Sequence, residues 1–321
     1  MRAIQVSEHG GPEVLRYVEV ADPQIGPGQL LVDTRGVGVN YIDIYFRTGQ
    51  YPQATPYIPG SEGTGVVTAV GAEVTEFAVG DRVAWAAAPG SYADRVAVDA
   101  AVAVRVPDGV DTTVAAAALL QGMTAHYLVE SVFRPEPGDP VLIHAGAGGV
   151  GLLLTQMAAA KGARVITTVS TDDKEKLSRE AGAAEVLRYG DDLAARVREL
   201  TDGEGVAAVY DGVGASTFEA GLASLRVRGT LALFGAASGA VPPFDPQRLN
   251  PAGSLWLTRP SLGAYTRTRT ELLWRATDVF DAIAAGTLTF RIGATYPLAD
   301  AAQAHRDLAA RKTTGSLVLL P

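Results

Sequence analysis

Residues 139–169 read DPVLIHAGAGGVGLLLTQMAAAKGARVITTV, and this stretch decides the fold. PVLIHAG is a short apolar strand, GLLLTQMAAAKG an apolar helix stopping at Gly162, where a terminating glycine is expected, and ARVITTVS a second strand. Between strand and helix, Gly146, Gly148 and Gly151 fill the three glycine positions of G-x-G-x-x-G. The first glycine permits a tight turn, the second removes a Cβ where a pyrophosphate approaches the backbone, and the third lets helix and strand pack closely. Phosphates would sit on the amides at the helix start. A glycine turn that merely packs well is the competing reading, and the strand–helix–strand context disfavours it.

Working outward, the same alternation continues. TDDKEKLSREAG is a charged helix closed by Gly182, AEVLRY a strand, DDLAARVRELTDG a helix, VAAVYDGVG a strand, and ASTFEAGLASLRVRG with TLALFGAAS a last helix–strand pair. Five such strands in succession predict a doubly wound parallel sheet. Upstream the character changes: RAIQVSE, LRYVEVADP, QLLVDTRGVGVN, GTGVVTAVG and DRVAWAA are β-rich runs separated by Gly, Pro and Asp, with few helix signals. Beyond Pro260, TELLWRATDVFDAIAAG reads as a helix and GSLVLLP as a strand resembling the first third. The expected organisation is a β-rich domain over residues 1–120, completed by 263–321, and a dinucleotide-binding domain over 121–262.

Composition narrows the function. With 47% hydrophobic and 19% charged residues in 321, the chain has a globular balance that excludes disorder and coiled coil. Its 27 Lys+Arg against 35 Asp+Glu give a net charge of −8 with no basic block, which argues against a nucleic-acid partner. The absence of cysteine removes disulfides, a thiolate nucleophile and thiolate metal ligands. His9, His126, His144 and His305 show no paired ligand spacing, so no metal site is expected. No secretory signal is visible in MRAIQVSEHGGPEVLRYVEV, and no apolar stretch is long enough to span a bilayer, so a cytoplasmic protein is expected.

An NAD site would place a carboxylate at the end of the second strand to meet the ribose hydroxyls. Here the strand ends at Val169 and runs into Ser170 and Thr171, with Lys174 one turn on and Tyr189 closing the third strand. Hydroxyls and one cation suit a 2′-phosphate, hence NADPH. Equally, Ser170 or Thr171 caps a helix whose first turn carries Asp172 and Asp173, and Lys174 is a surface lysine. The two aspartates would weaken a phosphate site.

NYIDIYFRTGQYP from Asn40, PGSEGTGVV from Pro59, QGMTAHYL from Gln121, HAGAGGVG from His144 and TRPSL from Thr258 occur together, in order, over the whole chain. In this combination the chain resembles the zinc-free, zeta-crystallin-like quinone oxidoreductases of the medium-chain dehydrogenase/reductase superfamily. The resemblance implies a GroES-like catalytic domain, a Rossmann domain, NADPH and a homodimer. It also implies that the Cys and His ligands of zinc-dependent relatives are missing, since Asn40 stands at one position and Gly60, Ser61 and Glu62 replace the G-H-E segment. Such a site must position a hydride donor against an acceptor needing little activation, a quinone or another conjugated carbonyl.

Carried over by residue, the resemblance places Asn40, Tyr41, Tyr45, Thr124 and Tyr127 near the nicotinamide, with Gly149 and Val150 on the pyrophosphate. Ser170, Thr171, Lys174 and Tyr189 would take the 2′-phosphate end. Phe234, Gly235, Ala236 and Leu262 would frame the carboxamide, and Arg311 would add a phosphate contact. Gly212 departs from relatives that have Ser there. Catalysis would fall to Asn40, Tyr45 and Tyr51, acting on an acceptor in the cleft between domains. Duller readings stand beside these: Asn40 and Tyr45 as a turn residue and a core aromatic, Tyr51 as a loop anchor, Glu62 as a structural carboxylate, Asp43 as a helix cap, and His126 and His144 as buried, satisfied histidines. The expected function is NADPH-dependent quinone reduction. The alternatives are reduction of an enoyl or alkenal C=C bond, and a non-catalytic NADPH-binding protein.

Overall fold

The computed structural model describes residues 1–190 and 192–321. Two strands, β1 (Arg2–Gln5) and β2 (Arg16–Glu19), pair antiparallel at the start of the chain. There follow β3 (Gln29–Val39), α1 (Tyr41–Arg47), β4 (Gly63–Val70), β5 (Arg82–Trp85), β6 (Arg95–Asp99), β7 (Val104–Arg105) and α2 (Thr112–Tyr127). A regular alternation comes next: β8 (Pro140–Ile143), α3 (Gly149–Ala160), β9 (Arg164–Val169), α4 (Asp172–Glu180), β10 (Glu185–Arg188), α5 (Leu193–Leu200), β11 (Val206–Asp211), α6 (Phe218–Ser224), β12 (Leu225–Leu233) and β13 (Trp256–Thr258). The chain closes with α7 (Leu262–Tyr265), α8 (Arg269–Ala284), β14 (Ile292–Pro297), α9 (Ala301–Ala309) and β15 (Ser316–Leu320). Residues 1–123 with 266–321 form one compact unit, and residues 124–265 a second.

In the first unit the strands join in the order β14-β15-β3-β4-β5-β7, with β6 also on β3. Alternating apolar residues bury one face: Leu30, Val32, Val67, Val83, Trp85, Val96 and Val98 form one core cluster. A second cluster gathers Ile4, Val37, Val39, Tyr92, Leu317 and Leu319 against Ala301 and Ala304 of α9. The C-terminal strand β15 lies antiparallel to β3, with Leu317 opposite Val39.

The second unit is a six-stranded sheet in the order β10-β9-β8-β11-β12-β13, and every pairing in it is parallel. Its inner strands are buried on both faces, which is why they read as unbroken apolar runs: Val141, Leu142, Ile143, Val165, Ile166, Val206 and Val209 are inaccessible. The order runs outward from β8 in one direction and from β11 in the other, so the sheet changes winding direction between these two strands. Ligands of such sheets bind at that switch, outside the carboxyl ends of the strands. This is the α/β architecture expected, a doubly wound Rossmann sheet accompanied by a β-rich GroES-like unit.

Three local expectations need correction. LRVRG, read as the end of a helix, is the start of β12, because the helix stops at Ser224; β-branched Val227 and the alternation Leu225–Val227 favour strand over another helical turn. A sixth parallel strand, β13, escaped notice because its three residues are too few to show a period. Helix α5 is shorter than DDLAARVRELTDG, and Asp191 within that segment lies outside the described residues.

Candidate active site

In the second unit, the turn after β8 stands on one side of the switch point. Gly146 N–H donates to Thr168 O (3.0 Å) and Gly148 N–H to Ala145 O (2.8 Å), folding the chain back before α3 begins at Gly149. Glycine is required sterically: a Cβ at Gly146 would lie 2.6 Å from Thr167 Cβ, and one at Gly151 would overlap the Ala145 carbonyl oxygen. Gly148 caps α3 and has no side chain of its own to cover the amides of the first turn. An anion of pyrophosphate size fits this cradle. The Tyr189 hydroxyl joins this turn, accepting the Ala145 N–H at 2.9 Å.

Ser170, Thr171 and Lys174 come together at the end of β9. Lys174 Nζ–H donates to Ser170 Oγ (3.4 Å), and Thr171 Oγ1 accepts the Lys174 backbone N–H (3.3 Å), so Thr171 is the cap of α4. Arg188, at the end of β10, pairs with Asp172 (2.5 Å) and Glu175 (2.8 Å). Two of the carboxylates in the first turn of α4 thus face a cation.

Across the switch point, β11 ends in the fully buried Asp211, whose Oδ1 accepts Val213 N–H (2.7 Å) and Gly214 N–H (3.0 Å) and whose Oδ2 accepts Thr217 Oγ1–H (2.8 Å). The Asp211 carbonyl oxygen accepts Phe234 N–H (2.8 Å) and Gly235 N–H (3.2 Å), so Phe234, Gly235 and the buried Ala236 are fixed beside Gly212. A Cβ at Gly212 would meet the Phe234 ring at 2.9 Å, which accounts for glycine there. Thr124 and Tyr127, at the end of α2, are buried, and Tyr127 stacks on Tyr265 at 4.5 Å and 7°. Leu262 opens the short helix α7 that ends in Tyr265. His126 and His144 are buried as expected, but His144 is not satisfied. Its Nδ1 meets Thr168 Oγ1 at 2.9 Å, Nε2 has no hydrogen-bond partner among the described residues, and burial lowers its pKa.

In the first unit, Asn40 caps α1 and Tyr41, Tyr45 and Tyr51 follow. The three rings form a chain, with centroids 6.4 Å apart for Tyr41–Tyr45 and 5.2 Å for Tyr45–Tyr51. The Tyr41 hydroxyl donates to Leu308 O (2.9 Å), which occupies it in holding α1 to α9. Arg311 follows α9 in this same unit, in the left-handed backbone region (φ 56°).

Around Asn40 lies a polar network that local spacing could not reveal. Its side chain bonds Glu62 (2.7 Å) and Gln121 (3.0 Å), and its backbone N–H donates to Asp43 Oδ2 (2.9 Å). Asp43, expected as a cap, is the N3 residue of the capping box and also accepts the Tyr92 hydroxyl (2.9 Å). Beyond it, Tyr92 meets His305 Nε2 (3.0 Å), and Arg47 meets His305 Nδ1 (3.1 Å). Arg47 can only donate, so Nδ1 accepts and Nε2 carries the hydrogen, donating to Tyr92. Burial, with Arg47 adding to it, presses the His305 pKa down to about 3. Burial raises Asp43 to about 7 and Glu62 to about 8.

Residues 149–274 match the family described as Zinc-binding dehydrogenase, and residues 26–108 the Alcohol dehydrogenase GroES-like domain. The donor set here does not fit zinc. There is no cysteine, Glu62 spends both oxygens on Asn40 and Leu120, and among the described residues no three His, Cys, Asp or Glu side chains could jointly hold an ion. A quinone oxidoreductase of Pseudomonas aeruginosa is 45% identical over 100% of this chain and 99% of its own length. A 2-haloacrylate reductase of a Burkholderia species is 39% identical over 99% and 98%. The solved structure of a native mycobacterial protein complexed with NADPH superposes with a TM-score of 0.98 at 60% identity, covering all of both chains. At this coverage and identity the chain belongs to the quinone oxidoreductase family of the medium-chain dehydrogenase/reductase superfamily.

Proposed function

We propose that this protein is a metal-independent NADPH:quinone reductase. The observation that carries the reading is the Gly146–Gly151 cradle beside a hydroxyl-and-cation cluster, Ser170, Thr171 and Lys174, with no carboxylate at the end of β9. NADPH, when bound, supplies the hydride at its nicotinamide C4. The α3 amides at Gly149, Val150 and Gly151 hold the pyrophosphate. Lys174, with the Ser170 and Thr171 hydroxyls, holds the 2′-phosphate. Asp211 fixes the 234–236 segment, which with Leu262, Thr124 and Tyr127 frames the nicotinamide. On the catalytic side, Tyr45 and Tyr51 offer ring faces to a flat acceptor, and Asn40 offers its remaining amide hydrogen to the acceptor's oxygen. Orientation then supplies most of the rate, because a quinone needs no Lewis acid. Arg311 adds a phosphate contact, and the protein acts as a cytoplasmic homodimer on small quinones.

The 2-haloacrylate reductase relative favours one second reading, reduction of a C=C bond conjugated to a carbonyl. The test is NADPH oxidation, followed by absorbance, against 1,4-benzoquinone and 2-chloroacrylate. Turnover on the quinone supports the proposal, and turnover on the acrylate alone supports the second reading. Binding without oxidation of NADPH by either acceptor would reject both.

A further inference from the structure

Asn40 is the middle of a chain of buried side chains drawn from four separate segments. Ser316 Oγ–H donates to Gln121 Oε1 (2.6 Å), Gln121 Nε2–H to Asn40 Oδ1 (3.0 Å), and Asn40 Nδ2–H to Glu62 Oε2 (2.7 Å). The other Glu62 oxygen, Oε1, accepts Leu120 N–H (2.7 Å). A carboxylate can only accept, so an ionised Glu62 turns the Asn40 NH2 toward itself and both amides line up behind it.

The opposite direction keeps the same three side-chain contacts with donor and acceptor exchanged in each. In a neutral Glu62 the proton must sit on Oε2, because Oε1 faces a donor. Asn40 then presents Oδ1 to Glu62, its Nδ2–H donates to Gln121 Oε1, and Gln121 Nε2–H donates to Ser316 Oγ. Amide oxygen and nitrogen are close in size, so the reversal keeps every contact. What changes is that the remaining N–H and the remaining oxygen lone pair of Asn40 exchange places.

Glu62 is fully buried and meets no cation among the described residues. From α1 it faces Asp43, a like charge when ionised. From α2 it faces the backbone of Leu119 and Leu120, and from β3 Gly38. Tyr92, bonded to Asp43, is the remaining titratable neighbour, and burial keeps its hydroxyl protonated. Burial raises the Glu62 pKa to about 8, within reach of ordinary assay conditions.

We propose that Glu62 is a positioning residue: its proton sets the direction of the Ser316–Gln121–Asn40 chain and thereby which end of the Asn40 amide is offered to the reacting acceptor. An N–H aimed at the acceptor oxygen stabilises the charge developing there, and a lone pair in its place opposes it. The inference rests on the role proposed above for Asn40.

The experiment follows the ¹⁵N side-chain amide resonances of Asn40 in the full-length chain from about pH 6 to about pH 9.5, with and without Glu62→Gln. NADPH oxidation by 1,4-benzoquinone is measured over the same range. In the variant, the new amide nitrogen plays the part of the protonated oxygen and holds the chain reversed. The expected result is one titration of the Asn40 signals in the wild type and none in the variant. Above about pH 8, where the wild-type Glu62 is ionised, the variant should fall at least about tenfold below the wild type in kcat, while below that pH the two converge; the variant should give a flat pH profile and keep its NADPH affinity. Wild-type Asn40 signals indifferent to pH overturn the proposal, and so does a variant with wild-type kcat and pH profile. Should the variant fail to fold, the wild-type titration alone decides. That titration needs no turnover, so a protein whose Asn40 titrates but which leaves NADPH unoxidised would support the chain and reject the reductase reading.

Discussion

The candidate regions of the two units are built by different means. The turn at Gly146–Gly151 recognises through its backbone, and all of it comes from one strand–turn–helix of neighbouring residues. The Asn40 network works through side chains, and its members Asn40, Glu62, Gln121 and Ser316 are scattered from one end of the chain to the other. Backbone recognition demands an absence, the missing Cβ, and leaves a pattern that can be read locally. The Asn40 network demands a tertiary fold, and local spacing does not show which side chains meet there.

The largest effect that would break this contrast is expected at Gly151. In Gly151→Val the Cβ itself overlaps a backbone carbonyl, so no choice of rotamer relieves it. NADPH affinity should fall at least about a hundredfold, roughly 3 kcal/mol, in a fluorescence titration. Retained affinity would mean that the turn is not the phosphate cradle. Lys174→Ala comes next. It should weaken NADPH by about 1.5 to 3 kcal/mol and leave NADH nearly unchanged, since only the former carries the phosphate. Equal losses would remove Lys174 from the 2′-phosphate.

The smallest effect sharpens the other side. Between the ordinary glutamate pKa of 4.5 and about 8 the folded chain keeps a proton on Glu62 that the unfolded chain has released, so stability falls as pH rises through this window. The slope is at most about 1.4 kcal/mol per pH unit for one group. Asp43 adds to the decline up to about 7. Below the ordinary histidine pKa, His305 acts in the opposite sense, because the unfolded chain takes up a proton that the buried ring refuses. Chemical denaturation across this range should therefore show a decline between about pH 6.5 and 8 that Glu62→Gln reduces. An unchanged slope would place the Glu62 proton elsewhere.

Much of the fold was legible in the sequence for the same reason as the turn. The strands of the parallel sheet are buried on both faces and read as apolar runs, and glycines punctuate the helices between them. What escaped was short or non-local. The three residues of β13 give no period, and β12 takes over at Leu225 within a segment whose composition suits helix. At the candidate site, Lys174, Ser170 and Thr171 were legible from strand-end position, as was the capping role of Thr171. Tyr92, His305 and Arg47 were not, because α1, the segment before β6 and α9 meet only in the folded unit. Glu62 was recognised as a bonded carboxylate, yet Gln121 and Ser316, which reach it only through Asn40, lie 59 and 254 positions further along the chain.

The hydrogen bond from Ala145 N–H to the Tyr189 hydroxyl crosses from the first parallel strand of its sheet to the third. Because β9 lies between them, the carboxyl ends of three strands are laced into one rim, and an outer strand helps to brace an inner loop. Slippage at the periphery of the sheet would be transmitted straight to the mouth where phosphates are expected to lodge.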